Sequence, residues 1–354
     1  MTEAAAPIGH VRSDVLPPIT PAQAAAFQDA CAVAAAIHAA RELGVIARIS
    51  EAPADPAAVA ADCGLTRQGA AAILSALAGL HLLELGGDGR FQPAHSGLLQ
   101  LVELLRPWAA LEPVLRGRPR PANAATIAGA ESLYPSLVPQ IGALFRPSAE
   151  QAAELLAQPG LRLLDIGAGA APWSLAIAAR EPNSTVTAVE LPAVMRSTRT
   201  AVRNAGFADR YEFVEGSALE VDWGEPATYD LALIANICHL FGENTNLQLL
   251  RRVADALRPA GRVAIVDILP TERGDGPRPA VLYALGLVLR TSSGRIYPYS
   301  TLRRWLGQGG FEAPRRRDLP GPFPFTLITA TRRSSPCHSP SSSRNASSAA
   351  RPHR

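Results

Sequence analysis

The period of the apolar residues changes near residue 160. Before it, they recur at helical spacing. "TPAQAAAFQDACAVAAAIHAARELG" predicts a helix with Thr20 as its N-cap and Gly44 as its stop. "DPAAVAADCG" and "TRQGAAAILSALAGLHLLEL" predict two more, each with a capping residue in front. "GGDGRFQP" then reads as a turn and a short strand. Three helices followed by a β-wing are the pattern of a winged helix. Residues 96–158 read as mostly helical, with a loop at "RGRPRPANA".

From residue 161 the pattern alternates. Apolar runs at "LRLLDIG", "TVTAVE", "YEFVEG", "YDLALIA" and "RVAIVDIL" are separated by helical stretches. That alternation predicts a parallel sheet with helices on its faces, an α/β domain of Rossmann-like type. "FEAPRRRDL" and "FTLITATR" read as two closing strands. The expected organisation is an arm over 1–20, a winged-helix domain over 21–100, and a helical linker and pocket region over 101–158. An α/β domain follows over 159–333, then a tail over 334–354. That tail, rich in Ser, Pro and Arg, has no periodicity, so disorder is its default.

The most informative segment is "LLDIGAGAAPWSLAIAA", a strand, a Gly-rich turn and a helix. Gly167 and Gly169 let the backbone turn tightly and approach a ligand. A dinucleotide fingerprint would need a third glycine where Pro172 stands. Asp165, two places before the first glycine, would repel a diphosphate but would offset a cation. Glu190 ends the next strand, where a carboxylate holds ribose hydroxyls. Acids at both strand ends suit a ligand with a ribose and no phosphate. S-adenosylmethionine, an adenosine joined to an amino acid through a sulfonium cation, is such a ligand.

A second segment, "LALIANICHLFGEN", turns from apolar to polar at Asn236, Cys238 and His239. Ligands of open α/β sheets collect at the carboxyl ends of strands. His239 is the histidine placed at that edge. His38 and His81 belong to the N-terminal helices, and His10, His95, His338 and His353 to arms, loops or the tail.

Charge and composition narrow the partners. All basic residues are arginine, as in GC-rich coding. Three of the 34 lie beyond residue 333, where no acid follows, so up to that point basic and acidic residues balance at 31 each. The apparent net charge of +3 therefore gives no reason to expect nucleic acid. The predicted third helix offers only Arg67 and Gln68 near its start, whereas DNA-reading helices carry a denser basic set. Packing or dimerisation is the favoured role of this module. DNA binding by a regulator that senses S-adenosylmethionine is the rival. Four scattered cysteines, Cys31, Cys63, Cys238 and Cys337, form no CxxC pair, so neither a disulfide framework nor a metal site is expected. A reducing, cytoplasmic setting fits them. No apolar run predicts a membrane span, and no secretory signal is evident.

Together, "LLDIGAGAAPWSLAIAA", "VTAVELPAV", "VEGSALEVDWGE" and "LALIANICHLFGEN…LLRRVADALRPAGRVAIVDILP" resemble the S-adenosylmethionine-dependent O-methyltransferases of the larger, homodimeric type. These include plant caffeate and flavonoid enzymes and bacterial natural-product enzymes. The resemblance spans residues 20–333 and implies a homodimer formed through the winged helix. It implies cofactor contacts from Gly167 and Gly169 to the methionine part and from Glu190 to the ribose. Gly216, Ser217 and Ala218 would lie by the adenine, and Asn236 would point toward the cofactor. It also implies that Leu144 and Ser148 cover the cofactor, although a helix N-cap explains Ser148 equally well. Ser217 stands where many members have an aspartate, and Ala235 where many have a lysine.

Methyl transfer to a hydroxyl needs an aligned nucleophile and a base. The resemblance makes His239 that base, followed here by Leu240 and Phe241 instead of Asp-Trp. Asp267, in "IVDILP", is the candidate that orients it. A second family carboxylate would fall near Ile296, where none exists; Tyr297 and Arg295 are possible substitutes. The acceptor pocket is expected around "ESLYPSLVPQIGALF" and "PAVLYALGLVLR", whose side chains suit an aromatic or polyketide-like small molecule. The missing carboxylate leaves C- or N-methylation as the alternative.

Overall fold

A computed structural model describes residues 19–95, 98, 102 and 105–334. The expected arm and tail lie outside these, apart from their innermost residues. The chain divides into two units, Met1–Ala109 and Ala110–Arg354.

The first unit contains α1 (Pro21–Glu42), α2 (Val45–Glu51), α3 (Pro56–Asp62), α4 (Arg67–Gly79), β1 (Leu83–Leu85) and β2 (Phe91–Pro93). Thr20 and Gln23 form a reciprocal capping box at the start of α1. Asp55 and Thr66 accept from the Ala58 and Gly69 amides at the starts of α3 and α4. Each such cap stabilises its helix by about 1 kcal/mol. Helix α2 was not expected. Gly44, at φ +74°, both ends α1 and opens α2, and the two helices meet at 65°. A left-handed residue is cheap only for glycine, so the chain turns there without unravelling. Ile46, Ile49, Val59, Leu74, Leu77 and Phe91 form this unit's core. The antiparallel β1–β2 pair is the expected wing. Among the described residues, no single helix is long and apolar enough to cross a membrane.

The second unit opens with α5 (Leu111–Leu115) and α6 (Ile127–Leu156). The sheet unit then runs β3 (Arg162–Ile166), α7 (Pro172–Arg180), β4 (Thr185–Glu190), α8 (Pro192–Asn204), β5 (Tyr211–Glu215), β6 (Tyr229–Ala235), α9 (Glu243–Ala256) and β7 (Leu257–Ile268). It closes with α10 (Arg278–Val288), α11 (Tyr299–Gln308), β8 (Phe311–Asp318) and β9 (Phe325–Arg332). The seven strands lie in the order β5-β4-β3-β6-β7-β9-β8. The first five are parallel, and β9 and β8 close the edge antiparallel. This is the Rossmann-like α/β architecture expected from the alternation.

A parallel sheet must be covered on both faces, and alternation along each strand supplies the two surfaces. Leu163, Leu231, Leu233, Ala264 and Val266 point into a core shared with α6, α7 and α8. Leu164, Ala232, Ile234, Val263 and Ile265 point into one shared with α9 and α11. All seven residues of β6 are buried, which is why "YDLALIA" reads as one unbroken apolar run. Helix α6 contributes Ala149, Ala152, Ala153 and Leu156 to the first core, so it belongs to the sheet unit and is no separate linker. Strand β7 begins five residues before the expected start. A register shift lets Tyr229 pair with Leu257 before the ladder resumes at Leu231 and Arg262.

Candidate active site

Strand order reverses at β3, which has β4 on one side and β6 on the other. Such a switch point opens a crevice at the carboxyl ends of the strands. The Gly-rich turn after β3 and the turn after β6 both lie there. They touch: a Cβ on Gly167 would overlap the end of the Ile237 side chain. Gly167 and Gly169 have φ of +67° and +58°, values that only glycine adopts cheaply. The amides of Gly167 and Ala168 both donate to the Val189 carbonyl, which pins the turn to β4.

Glu190 is held by that turn. Its Oε2 accepts from the Gly169 amide at 2.7 Å and its Oε1 from the Leu191 amide at 2.7 Å. Burial raises this carboxyl above the ordinary range, and the two amides oppose the rise. Each oxygen keeps a lone pair for a further donor. Asp165 lies beneath the turn, 2% exposed, with Oδ2 lacking any partner. Burial, opposed by a Ser174 hydrogen bond and reinforced by the Glu190 charge, pushes it up to about 7. Asp165 is therefore closed off from open contact with a ligand.

The loop after β5 is also tied to this edge. Gly216 donates to the Glu190 carbonyl at 2.9 Å, and at φ +140° it packs so close to Val221 that a Cβ would overlap it. The Ser217 hydroxyl accepts from the Leu219 amide at 3.3 Å, so it shapes the loop. Arg252 on α9 donates to the carbonyls of Ala218 and Val221, and its guanidinium lies 4.4 Å from the centre of the Trp223 ring. These contacts hold Gly216, Ser217 and Ala218 as one preformed wall.

After β6 the chain leaves the sheet at Asn236, whose φ of +59° is a left-handed conformation that asparagine tolerates. Its amide donates to the Val266 carbonyl at 2.8 Å. Three residues on, His239 is 3% exposed and faces Asp267 at the end of β7. Nδ1 and Asp267 Oδ1 are 2.6 Å apart. The His239 amide donates to Oδ2 at 3.2 Å and the Ile268 amide to Oδ1 at 2.9 Å. An aspartate bonded this way is an acceptor, so Nδ1 carries the proton and Nε2 presents its lone pair. Nε2 meets the hydroxyl of Tyr283, on α10, at 3.0 Å. The two rings stand edge to face, 5.2 Å apart at 85°.

Two expectations need correction. Ser148 lies inside α6, fully buried, and donates to the Pro320 carbonyl at 2.9 Å. It anchors the β8–β9 turn and is neither an N-cap nor open to a cofactor. The part of α6 over the Gly-rich turn comes earlier. Val138 lies 3.5 Å from a Cβ placed on Gly169, and Gly142 packs against Ala170. Tyr297 does not replace the missing carboxylate either. Its hydroxyl donates to the Phe241 carbonyl at 2.6 Å, outside the His239 ring, and Ile296 packs into the core.

Residues 149–312 match the model of the O-methyltransferase domain family. The chain is 32% identical over 174 residues to an L-tyrosine C(3)-methyltransferase of Streptomyces lavendulae, covering 48% of this chain and 47% of that protein. It is 28% identical over 171 residues to a 3-hydroxy-5-methyl-1-naphthoate 3-O-methyltransferase of Streptomyces sahachiroi, covering 47% and 49%. The matched region thus spans just under half the length of these relatives. The fold is similar to that of human N-acetylserotonin methyltransferase, solved in complex with SAM. The TM-score is 0.67 at 21% identity, over 89% of this chain and 99% of that one.

The domain's residues fit S-adenosylmethionine. Glu190 offers two fixed oxygens to vicinal hydroxyls, and the paired acids disfavour a diphosphate. Among the described residues no cluster of His, Cys, Asp or Glu could hold a metal ion. Tyr283, Val138 and Gly142 lie in the two segments expected to form the acceptor pocket, but their pairings with His239, Gly169 and Ala170 escaped the sequence reading, because nothing local marks a contact made across 28 to 44 positions of chain. Gly294 escaped it too: a Cβ there would overlap the His239 carbonyl oxygen.

Two outcomes follow from this packing. Gly294→Ala must displace the backbone of His239. It is expected to lower turnover at least tenfold, while Gly242→Ala, whose Cβ would meet nothing within 4 Å, leaves it near wild type. Steady-state kinetics on both variants checks this, and equal rates would show that His239 is not held from behind. The second concerns pH. Asp165 binds its proton more tightly folded than unfolded, so its contribution favours folding at low pH and is lost as pH rises toward about 7. Asp165→Asn lacks that loss. Its melting temperature should gain on the wild type as pH rises from about 4 to about 7, as read by calorimetric scans; a constant difference across that window would contradict it.

Proposed function

We propose that this chain is an S-adenosylmethionine-dependent methyltransferase acting on a hydroxyl of an aromatic or polyketide-like small molecule. The His239–Asp267 pair carries the reading. It is buried, its Nδ1 is held by Asp267, and it stands beside a turn suited to the cofactor. The bound cofactor supplies an electrophilic methyl group on a sulfonium. The chain's own residues do the rest. Glu190 and the Gly-rich turn fix the ligand's position, and α6 and α10 exclude water. His239 takes up the proton that a phenol, with a pKa near 10, releases only slowly in water. Asp267 holds the imidazolium that results, in the orientation its three hydrogen bonds set.

A second reading has a specific support. The relative from Streptomyces lavendulae is named for methylation of a ring carbon of tyrosine. A phenolate carries negative charge on its ortho carbons as well as on oxygen, so one base serves both reactions. Product NMR separates them.

His239→Ala and Asp267→Asn are each expected to lower kcat by about 100- to 10,000-fold. The asparagine amide would donate to Nδ1 and move the ring proton to Nε2, leaving no lone pair for the acceptor's proton. Calorimetry should show S-adenosylmethionine binding retained in both variants. Wild-type turnover by His239→Ala would remove the base role, and absence of cofactor binding by the wild-type chain would remove the enzyme reading.

The N-terminal unit, on the same reading, pairs two copies of the chain. Helix α1 has 22 residues, yet only Ala40 is buried, and Phe27 is 53% exposed. A groove of about 350 Å³ is lined by Leu43, Leu65, Gly69, Ala72, Ile73 and Ala76. An apolar face of this kind is a contact surface. Sedimentation velocity should find a dimer for the wild type and a monomer for Ala72→Arg; a monomeric wild type would refute the pairing.

A further inference from the structure

We propose that Tyr283 is a catalytic residue that relays the proton from the acceptor's hydroxyl to His239. The inference rests on the function proposed above. Its starting point is access. His239 is 3% exposed, so an acceptor does not reach its ring directly. The one lone pair of Nε2 is already committed to the Tyr283 hydroxyl at 3.0 Å. Tyr283 itself is only partly buried. Tyr283 is the less buried of the two, which sets the phenol on the acceptor's side of the imidazole in this proposal.

The surroundings of Tyr283 suit that position. Its neighbours on α10, Ala280 and Leu287, are fully buried, so this side of the helix is anchored. The ring also packs against the core that covers β3 and β6. The edge-to-face contact with His239 fixes the ring plane. Arg290 places its guanidinium carbon 4.8 Å from the centre of the ring, where it offsets negative charge as that charge develops on the phenol. Burial raises the phenol to about 12, opposed by Arg290, so at rest it keeps its proton and donates to Nε2.

The transfer balances. The acceptor's O–H bond breaks and its proton goes to the Tyr283 oxygen. The Tyr283 O–H bond breaks and that proton goes to Nε2. Asp267 keeps accepting from Nδ1 throughout. Tyr283 ends as it began, the acceptor oxygen gains a negative charge, and His239 gains a positive one. The stored proton returns to water after the product leaves.

The competing possibility is that the phenol only fills the acceptor's place and is pushed aside. Tyr283→Phe separates the two, because it keeps the ring and removes the hydroxyl. A relay predicts a fall in kcat of about 100-fold with little change in KM, and S-adenosylmethionine binding by calorimetry as in the wild type. A kcat equal to or above wild type would overturn the proposal. Replacing Tyr283 by 3,5-difluorotyrosine guards against a merely structural effect. Its more acidic phenol ionises within the working range and then has no proton to pass, so kcat should gain an alkaline limb that the wild type lacks. An unchanged pH profile would also overturn the relay. Failure of the wild type to methylate any phenol would fall on the proposed function; an active enzyme indifferent to both replacements would fall on Tyr283 alone.

Discussion

Asp267 is a buried carboxylate at the end of a strand whose other inward side chains are apolar. A charge in that position is tolerated only if it is fully bonded. Its oxygens accept from the Ile268 amide, the His239 amide and His239 Nδ1. Two of these three donors belong to one residue on a different strand's loop. Satisfying Asp267 therefore dictates where the chain must go after β6, and which nitrogen of His239 carries the proton. The left-handed turn at Asn236 and the close approach of Gly294 behind His239 are the local adjustments that make this route possible.

The sheet was legible because its strands are buried on both faces. A strand with that environment is a continuous apolar run, and β4, β6 and β9 coincide end to end with runs visible in the sequence. Glu190, His239 and Asp267 were legible for a related reason: each is a polar residue at or just beyond the carboxyl end of such a run. Helix α2 was not, since Gly44 signals a stop whether or not a second helix follows. Ser148 misled because a serine before "AEQAAELLA" has the local form of a cap. Three prolines inside α6, at 135, 139 and 147, argued further against one continuous helix. Packing along the sheet overrode both local signals.

The sequence showed a gap at Ile296, where a carboxylate was expected, and offered Tyr297 as a neighbour that could fill it. The fold uses that segment differently. Tyr297 braces the Phe241 carbonyl from outside, and Ile296 completes the core. The group that meets the free nitrogen of His239 comes from α10, 44 residues further along the chain. Such a partner cannot be read from spacing, because α10 reaches the site only after the chain has left the sheet at β7. The exchange also alters the chemistry. A carboxylate can only accept from the imidazole, whereas a phenol can also donate to it.

The two halves of the site are not independent. Ile237, two residues before His239, rests against Gly167, whose missing side chain makes the space for it. His239 and the Gly-rich turn are thus set at a fixed separation by one van der Waals contact across the switch point. The remaining freedom lies with the acceptor. A phenolate can react at oxygen or at an adjacent carbon, and neither His239 nor Asp267 distinguishes the two, because both act before the new bond is made. The choice therefore falls to the walls that orient the acceptor's ring, α6 and α10. Tyr134 on α6 feels both the Arg290 and the Glu190 charges. On the proposed function, the shape of this wall sets which atom receives the methyl group, and the proton chemistry is common to either outcome.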